Sequence, residues 1–197
     1  MRRKSVPDLM AMLGLVALGI VAQPSMAADP IDNLARTCNN CHGVNGVSAG
    51  PSMPSIGGQS EAYLKQIMMQ WKSGERASAT MTRLIKGYSD EQIAGLAKYF
   101  ATKPWTPVAQ KVGADAMKNG KAVTERCETC HGETGSKPDD EFTPKMHGQW
   151  AQFMELELMK YRDDGFQMAH KKMKNNARKL DEAGVDTAAQ FYAGQNK

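Results

Sequence analysis

Four cysteines stand in this chain, and they fall into two identical settings. The first is Cys38-Asn39-Asn40-Cys41-His42 and the second Cys127-Glu128-Thr129-Cys130-His131, each followed by a glycine. Two thiols three positions apart share one turn, where they can add to the two vinyl groups of a haem. The histidine that follows then lies under the iron as its proximal ligand. A disulfide framework would scatter its cysteines rather than pair them with a histidine attached. A thioredoxin-like redox pair needs a βαβ setting, and no alternating strand pattern surrounds either copy. A four-thiolate zinc site would need to close over the 86 positions from Cys41 to Cys127, far beyond zinc-ribbon spacing. The residues therefore point to two covalently bound haem c groups, held by Cys38 and Cys41 and by Cys127 and Cys130, with His42 and His131 on the irons.

One coordination position remains on each iron. A methionine there makes a high-potential electron carrier, a second histidine lowers the potential, and an open position allows gas or substrate chemistry. The chain has 14 methionines, so position has to choose among them. In the first half Met53 comes too early in a Pro-rich loop, and Met68 and Met69 lie within a helical pattern. Met81, 39 residues past His42, comes after a break at Gly74 and is the chosen ligand. It precedes Tyr99 by 18 residues, and Met173 precedes Phe191 by 18, which makes Met173 the second choice with Met168 in reserve. His170, three residues from Met173, could compete for iron, but a solvent-facing place on a Lys-rich helix is the favoured reading. His147 is left between a surface residue and a propionate contact.

The elements that must hold these groups repeat as well. Gly58-Gln59 lies 17 residues after His42 and Gly148-Gln149 lies 18 after His131, counting to the glutamines. Each pair opens a helical pattern: Tyr63, Leu64, Ile67, Met68 and Trp71 in one, Phe153, Leu156, Met159 and Tyr161 in the other. Helices near 31–37 and 114–126 lead into the cysteines. Ser89, with Gln92 three residues on, marks a capped helix over 90–101, and 186–193 is its counterpart. Lys103-Pro104-Trp105-Thr106-Pro107 reads as a stiff connector. The organisation is a signal peptide at 1–27, a first domain at 28–102, a linker at 103–112 and a second domain at 113–197. The expected fold is all-α: two tandem cytochrome c-like domains, each wrapped round a covalent haem. Halves of about 85 residues make thin cores alone, and the haem supplies the missing apolar centre.

The N-terminus explains where such a protein is loaded. Basic residues precede an apolar run from Leu9 to Ala22, too short to span a bilayer, and Ser25-Met26-Ala27 is a small-x-Ala cleavage site. Cleavage after Ala27 predicts a periplasmic protein with no membrane insertion afterwards. The remaining 22 basic and 20 acidic side chains give no reason to invoke nucleic acid.

The stretch Met81-Thr82-Arg83-Leu84-Ile85-Lys86-Gly87-Tyr88-Ser89, together with Lys72-Ser73-Gly74-Glu75, Gly148-Gln149-Trp150, Lys171-Lys172-Met173 and Arg178-Lys179-Leu180, resembles the dihaem cytochrome subunits of flavocytochrome c sulfide dehydrogenases. The resemblance implies two domains related by pseudo-twofold symmetry and the axial pairs His42/Met81 and His131/Met173. It implies no bond chemistry on this chain, a partner flavoprotein subunit carrying FAD, and a soluble cytochrome c as acceptor. Between Arg162 and Met173 the chain is one residue longer than the resemblance leads one to expect. Two other readings stand beside it: a free dihaem carrier delivering electrons to a terminal oxidase, and a haem enzyme of thiosulfate dehydrogenase type working at an open iron.

Overall fold

The structure is a computed structural model that describes residues 30–195. The signal-peptide reading at 1–27 lies outside those residues. Among the described residues every regular element is helical and there is no strand, as the sequence leads one to expect. The order is α1 (Pro30–His42), α2 (Glu61–Ser73), α3 (Met81–Ile85), α4 (Asp90–Ala101), α5 (Ala114–His131), α6 (Ala151–Arg162), α7 (Lys171–Ala177) and α8 (Glu182–Ala193). The second four repeat the first four. None is long and apolar enough to cross a membrane.

Local chemistry sets the helix ends. The Ser60 hydroxyl accepts from the Tyr63 N–H at 3.0 Å and opens α2. At α4 the Ser89 hydroxyl accepts from the Gln92 N–H at 3.2 Å while the Gln92 side chain accepts from the Ser89 N–H at 2.9 Å. Those are the reciprocal bonds of a capping box, worth about 1 kcal/mol. The helix at 186–193 begins four residues earlier than expected, because Asp181 caps it by accepting from the Gly184 N–H at 2.7 Å. α1 and α5 run on through both cysteine–histidine motifs, past their expected ends at 37 and 126, and stop at the glycines that follow.

Packing repeats too. In the first half α4 packs on α1 and α2, with α3 against α2; in the second α8 packs on α5 and α6, with α7 against α6. Ala35, Leu64, Leu96, Ala97 and Phe100 form the first core. Met154, Ala189, Phe191, Tyr192 and Ala193 form one cluster of the second. Fully burying a side chain such as Phe100 contributes about 1.5–3 kcal/mol. Between α4 and α5 the chain is extended and strapped to the second half. The Trp105 indole N–H donates to the His147 carbonyl at 3.0 Å, and the Val108 N–H to the Gly148 carbonyl at 2.8 Å.

Candidate functional site: two matched haem-attachment centres

Each centre is built on the last turn of a helix. Cys38, Cys41 and His42 end α1; Cys127, Cys130 and His131 end α5. No disulfide joins any of the four cysteines. Before any thioether forms, burial raises the Cys38 thiol pKa and pushes that of Cys127 up to about 11.

The histidines are held as ligands need to be. Both are buried, each 8 % exposed. His42 Nδ1 lies 2.9 Å from the Pro54 carbonyl oxygen, and His131 Nδ1 lies 3.2 Å from that of Pro144. A carbonyl only accepts, so Nδ1 carries the proton on both rings and Nε2 keeps its lone pair for a metal. Burial lowers both imidazole pKa values, against the opposing pull of those carbonyls, and keeps the rings neutral.

The surroundings fit a large flat apolar group. Packed against the first core together with Cys38, the side chains of Leu34, Ile56, Tyr63, Met68, Tyr88 and Tyr99 are only partly buried. Met146 and Phe153 pack in the same way, together with Cys127, against the second. The Trp71 indole nitrogen is buried with no hydrogen-bond partner among the described residues. Leaving such a donor unpaired costs about 1–3 kcal/mol, and a haem carboxylate would satisfy it. Cys38, Cys41 and His42 would thus hold one haem c, and Cys127, Cys130 and His131 the other.

The two chosen methionines sit on the short helices. Met81 is the first residue of α3 and Met173 the third of α7, both half-buried. Counted back from the caps of the last helices, Ser89 and Asp181, both are eight residues away. α7 reaches the second centre, where the Lys172 ammonium lies 3.3 Å from Cys130 Sγ. Met168, the reserve, is buried with Tyr161 and Ala177, and Met173 packs against the same cluster. His170 departs from the expected solvent-facing position: it is half-buried, with Nε2 3.4 Å from Gln70 Nε2 of the first half. His147 is also half-buried, its ring 5.3 Å from that of Trp105.

A family model described as cytochrome C oxidase, cbb3-type, subunit III matches residues 26–100. Cytochrome c4 of Azotobacter vinelandii is 28% identical, over 97% of this chain and 98% of its own. Cytochrome c4 of Pseudomonas aeruginosa is 31% identical, over 81% of this chain and 82% of its own. The chain belongs to the cytochrome c4 family. It is a dihaem c-type electron carrier, with a covalent haem c at each Cys-x-x-Cys-His motif. The crystal structure of reduced recombinant cytochrome c4 from Pseudomonas stutzeri shares the fold, with a TM-score of 0.72 at 24% identity over 86% of this chain and 98% of that one.

The narrower resemblance drawn from the sequence covers less. The cytochrome subunit of sulfide dehydrogenase from Chlorobaculum tepidum is 36% identical, but over 44% of this chain and 81% of its own. The thiosulfate dehydrogenase electron acceptor of Stutzerimonas stutzeri is 34% identical over 81% of this chain and 79% of its own. The dihaem family stands, and the likeness over the full length is to cytochrome c4.

Several buried polar groups carry no motif that the sequence would flag. Gln59 and Gln149 were visible only as landmarks, yet both are buried and reach across the two halves. Arg76 is buried against Tyr161 and Glu157 of the other half. The repeated Gly-Gln spacing was the signal for the first two. Nothing in sequence marked the third.

Proposed function

We propose that this chain is a free-standing dihaem carrier of the periplasm that collects electrons from a soluble donor and delivers them toward a terminal oxidase. When bound, each haem supplies a one-electron iron couple. The protein's part is to hold each iron between a histidine and a methionine, His42 with Met81 and His131 with Met173, and to keep water from it. Residues 28–102 and 113–197 form the two domains, with 103–112 as linker.

The observation that carries this reading is the full-length likeness to cytochrome c4, beside a sulfide dehydrogenase match confined to less than half the chain. The relative described as a thiosulfate dehydrogenase electron acceptor supports a donor outside this polypeptide. A second reading keeps the partial match: the chain as cytochrome subunit of a flavocytochrome, with FAD on a partner flavoprotein and a soluble cytochrome c as acceptor.

Purification from the periplasm separates the two. The free carrier runs at the mass of one processed chain with two haems and no flavin, and its reduced form binds no carbon monoxide. A flavoprotein at equal stoichiometry would establish the second reading. Carbon monoxide binding at one native haem would instead favour an enzyme with an open iron.

A further inference from the structure

The interface between the halves contains a crossed pair of clasps. The Gln149 carboxamide accepts from the Ser55 N–H at 2.9 Å and donates to the Ser55 carbonyl at 2.8 Å. The Gln59 carboxamide accepts from the Lys145 N–H at 2.9 Å and donates to the Lys145 carbonyl at 2.8 Å. Gln59 is 4 % exposed and Gln149 3 %. Ser55 and Lys145 are each four residues before the glutamine of their own half, so the two contacts are exchanged by the pseudo-twofold. Gln149 Oε1 also accepts from the Trp150 N–H at 3.1 Å.

What these clasps grip matters more than that they exist. The Ser55 N–H belongs to the same peptide group as the Pro54 carbonyl, which is the acceptor for His42 Nδ1. The Lys145 N–H belongs to the same peptide group as the Pro144 carbonyl, the acceptor for His131 Nδ1. Two continuous relays follow: from His42 through the Pro54–Ser55 peptide to Gln149, and from His131 through the Pro144–Lys145 peptide to Gln59. Each begins on a histidine of one half and ends on a carboxamide of the other.

Hydrogen bonds in such a chain polarise one another, most strongly away from water. A peptide whose N–H donates to a carboxamide oxygen has a carbonyl oxygen that is a better acceptor at its other end. A stronger acceptor at Nδ1 raises the basicity of Nε2, and more donation to iron favours the oxidised metal.

We propose that Gln59 and Gln149 are positioning residues that set the potential of the haem in the opposite half, each through the peptide that holds the other half's histidine. The assignment rests on His42 and His131 being the proximal ligands. It makes the potential of each centre depend on how the two halves are docked.

The test is potentiometry on the fully loaded protein, with haem methyl resonances assigned to each half. Gln149→Leu removes the acceptor and should raise the potential of the His42 haem, with roughly a threefold to tenfold change in its reduction equilibrium. Tenfold corresponds to about 59 mV for one electron. The His131 haem should move much less. Gln59→Leu should do the reverse. If Gln149→Leu yields no folded protein, Gln149→Asn, which is too short to keep both contacts, is read the same way. Potentials that stay put, that move together, or that shift in the mutated half overturn the proposal. A wild-type protein with fewer than two haems, or without low-spin iron, would instead defeat the ligand reading on which it rests.

Discussion

The Arg76 guanidinium donates to the Tyr161 hydroxyl at 2.7 Å, although 85 residues separate them in sequence. Its second arm meets the Glu157 carboxylate at 2.5 Å, and its carbon lies 5.2 Å from the centre of the Tyr161 ring. Arg76 is 6 % exposed. Beside it the Ala77 N–H donates to the Gln167 carbonyl at 2.9 Å. The short strap after α2 is thus bound to α6 and to the loop beyond it, and the halves are locked by polar groups as well as by packing.

Removing Arg76 takes the donor from the buried Tyr161 hydroxyl and leaves Glu157 to Lys160 alone, which pairs with it at 2.5 Å; losing a buried hydrogen-bond partner costs about 1–3 kcal/mol. Arg76→Ala should therefore lower the urea midpoint of the loaded protein by that order while haem content stays at two. Lys121→Ala is the control. Lys121 and Glu133 pair at 2.5 Å with 69% and 61% of their side chains exposed, where water screens the attraction and little stability is lost with it. Equal losses in the two variants would show that Arg76 does not join the halves.

The methionines separate ligation from packing. Met81→Ala and Met173→Ala should each abolish the sulfur-to-iron absorption band of one haem and leave that of the other. Met168→Ala should keep both bands. It should instead destabilise by about 2–5 kcal/mol, the usual result of emptying a buried methionine site, because Met168 is packed with Tyr161 and Ala177. Loss of a band in the Met168 variant, with Met173→Ala silent, would move the ligand to Met168.

The connector is read through glycine. Gly148 has φ 63°, and a Cβ there would come within 2.3 Å of Pro107 Cβ. Gly74 has φ 86° and open space around the same position. Both alanine variants carry the strain of a left-handed backbone, about 1–3 kcal/mol. Gly148→Ala must also push the connector off the second half, so its melting temperature should fall further than that of Gly74→Ala. Equal losses would mean that the connector yields freely at Pro107.

The sequence alone determined the chemistry and the duplication. Thioether attachment needs two thiols and a histidine within five positions, so the motif carries its own geometry. The α4 capping box was legible for the same reason, since Ser89 and Gln92 stand three residues apart. The α8 start was missed because the pattern was matched on its apolar end and Asp181 was not weighed as a cap. What the tertiary structure decided is everything that joins residues of the two halves. It set Gln149 on Ser55, Gln59 on Lys145, Arg76 on Tyr161 and His170 beside Gln70. It also buried Met168 beneath the helix that carries Met173. Periodicity reports which face of a helix is apolar, not which distant peptide a buried amide will meet. Such polar contacts form only after both halves have folded and docked, so their partners lie in the relation between the halves and not in either stretch of chain.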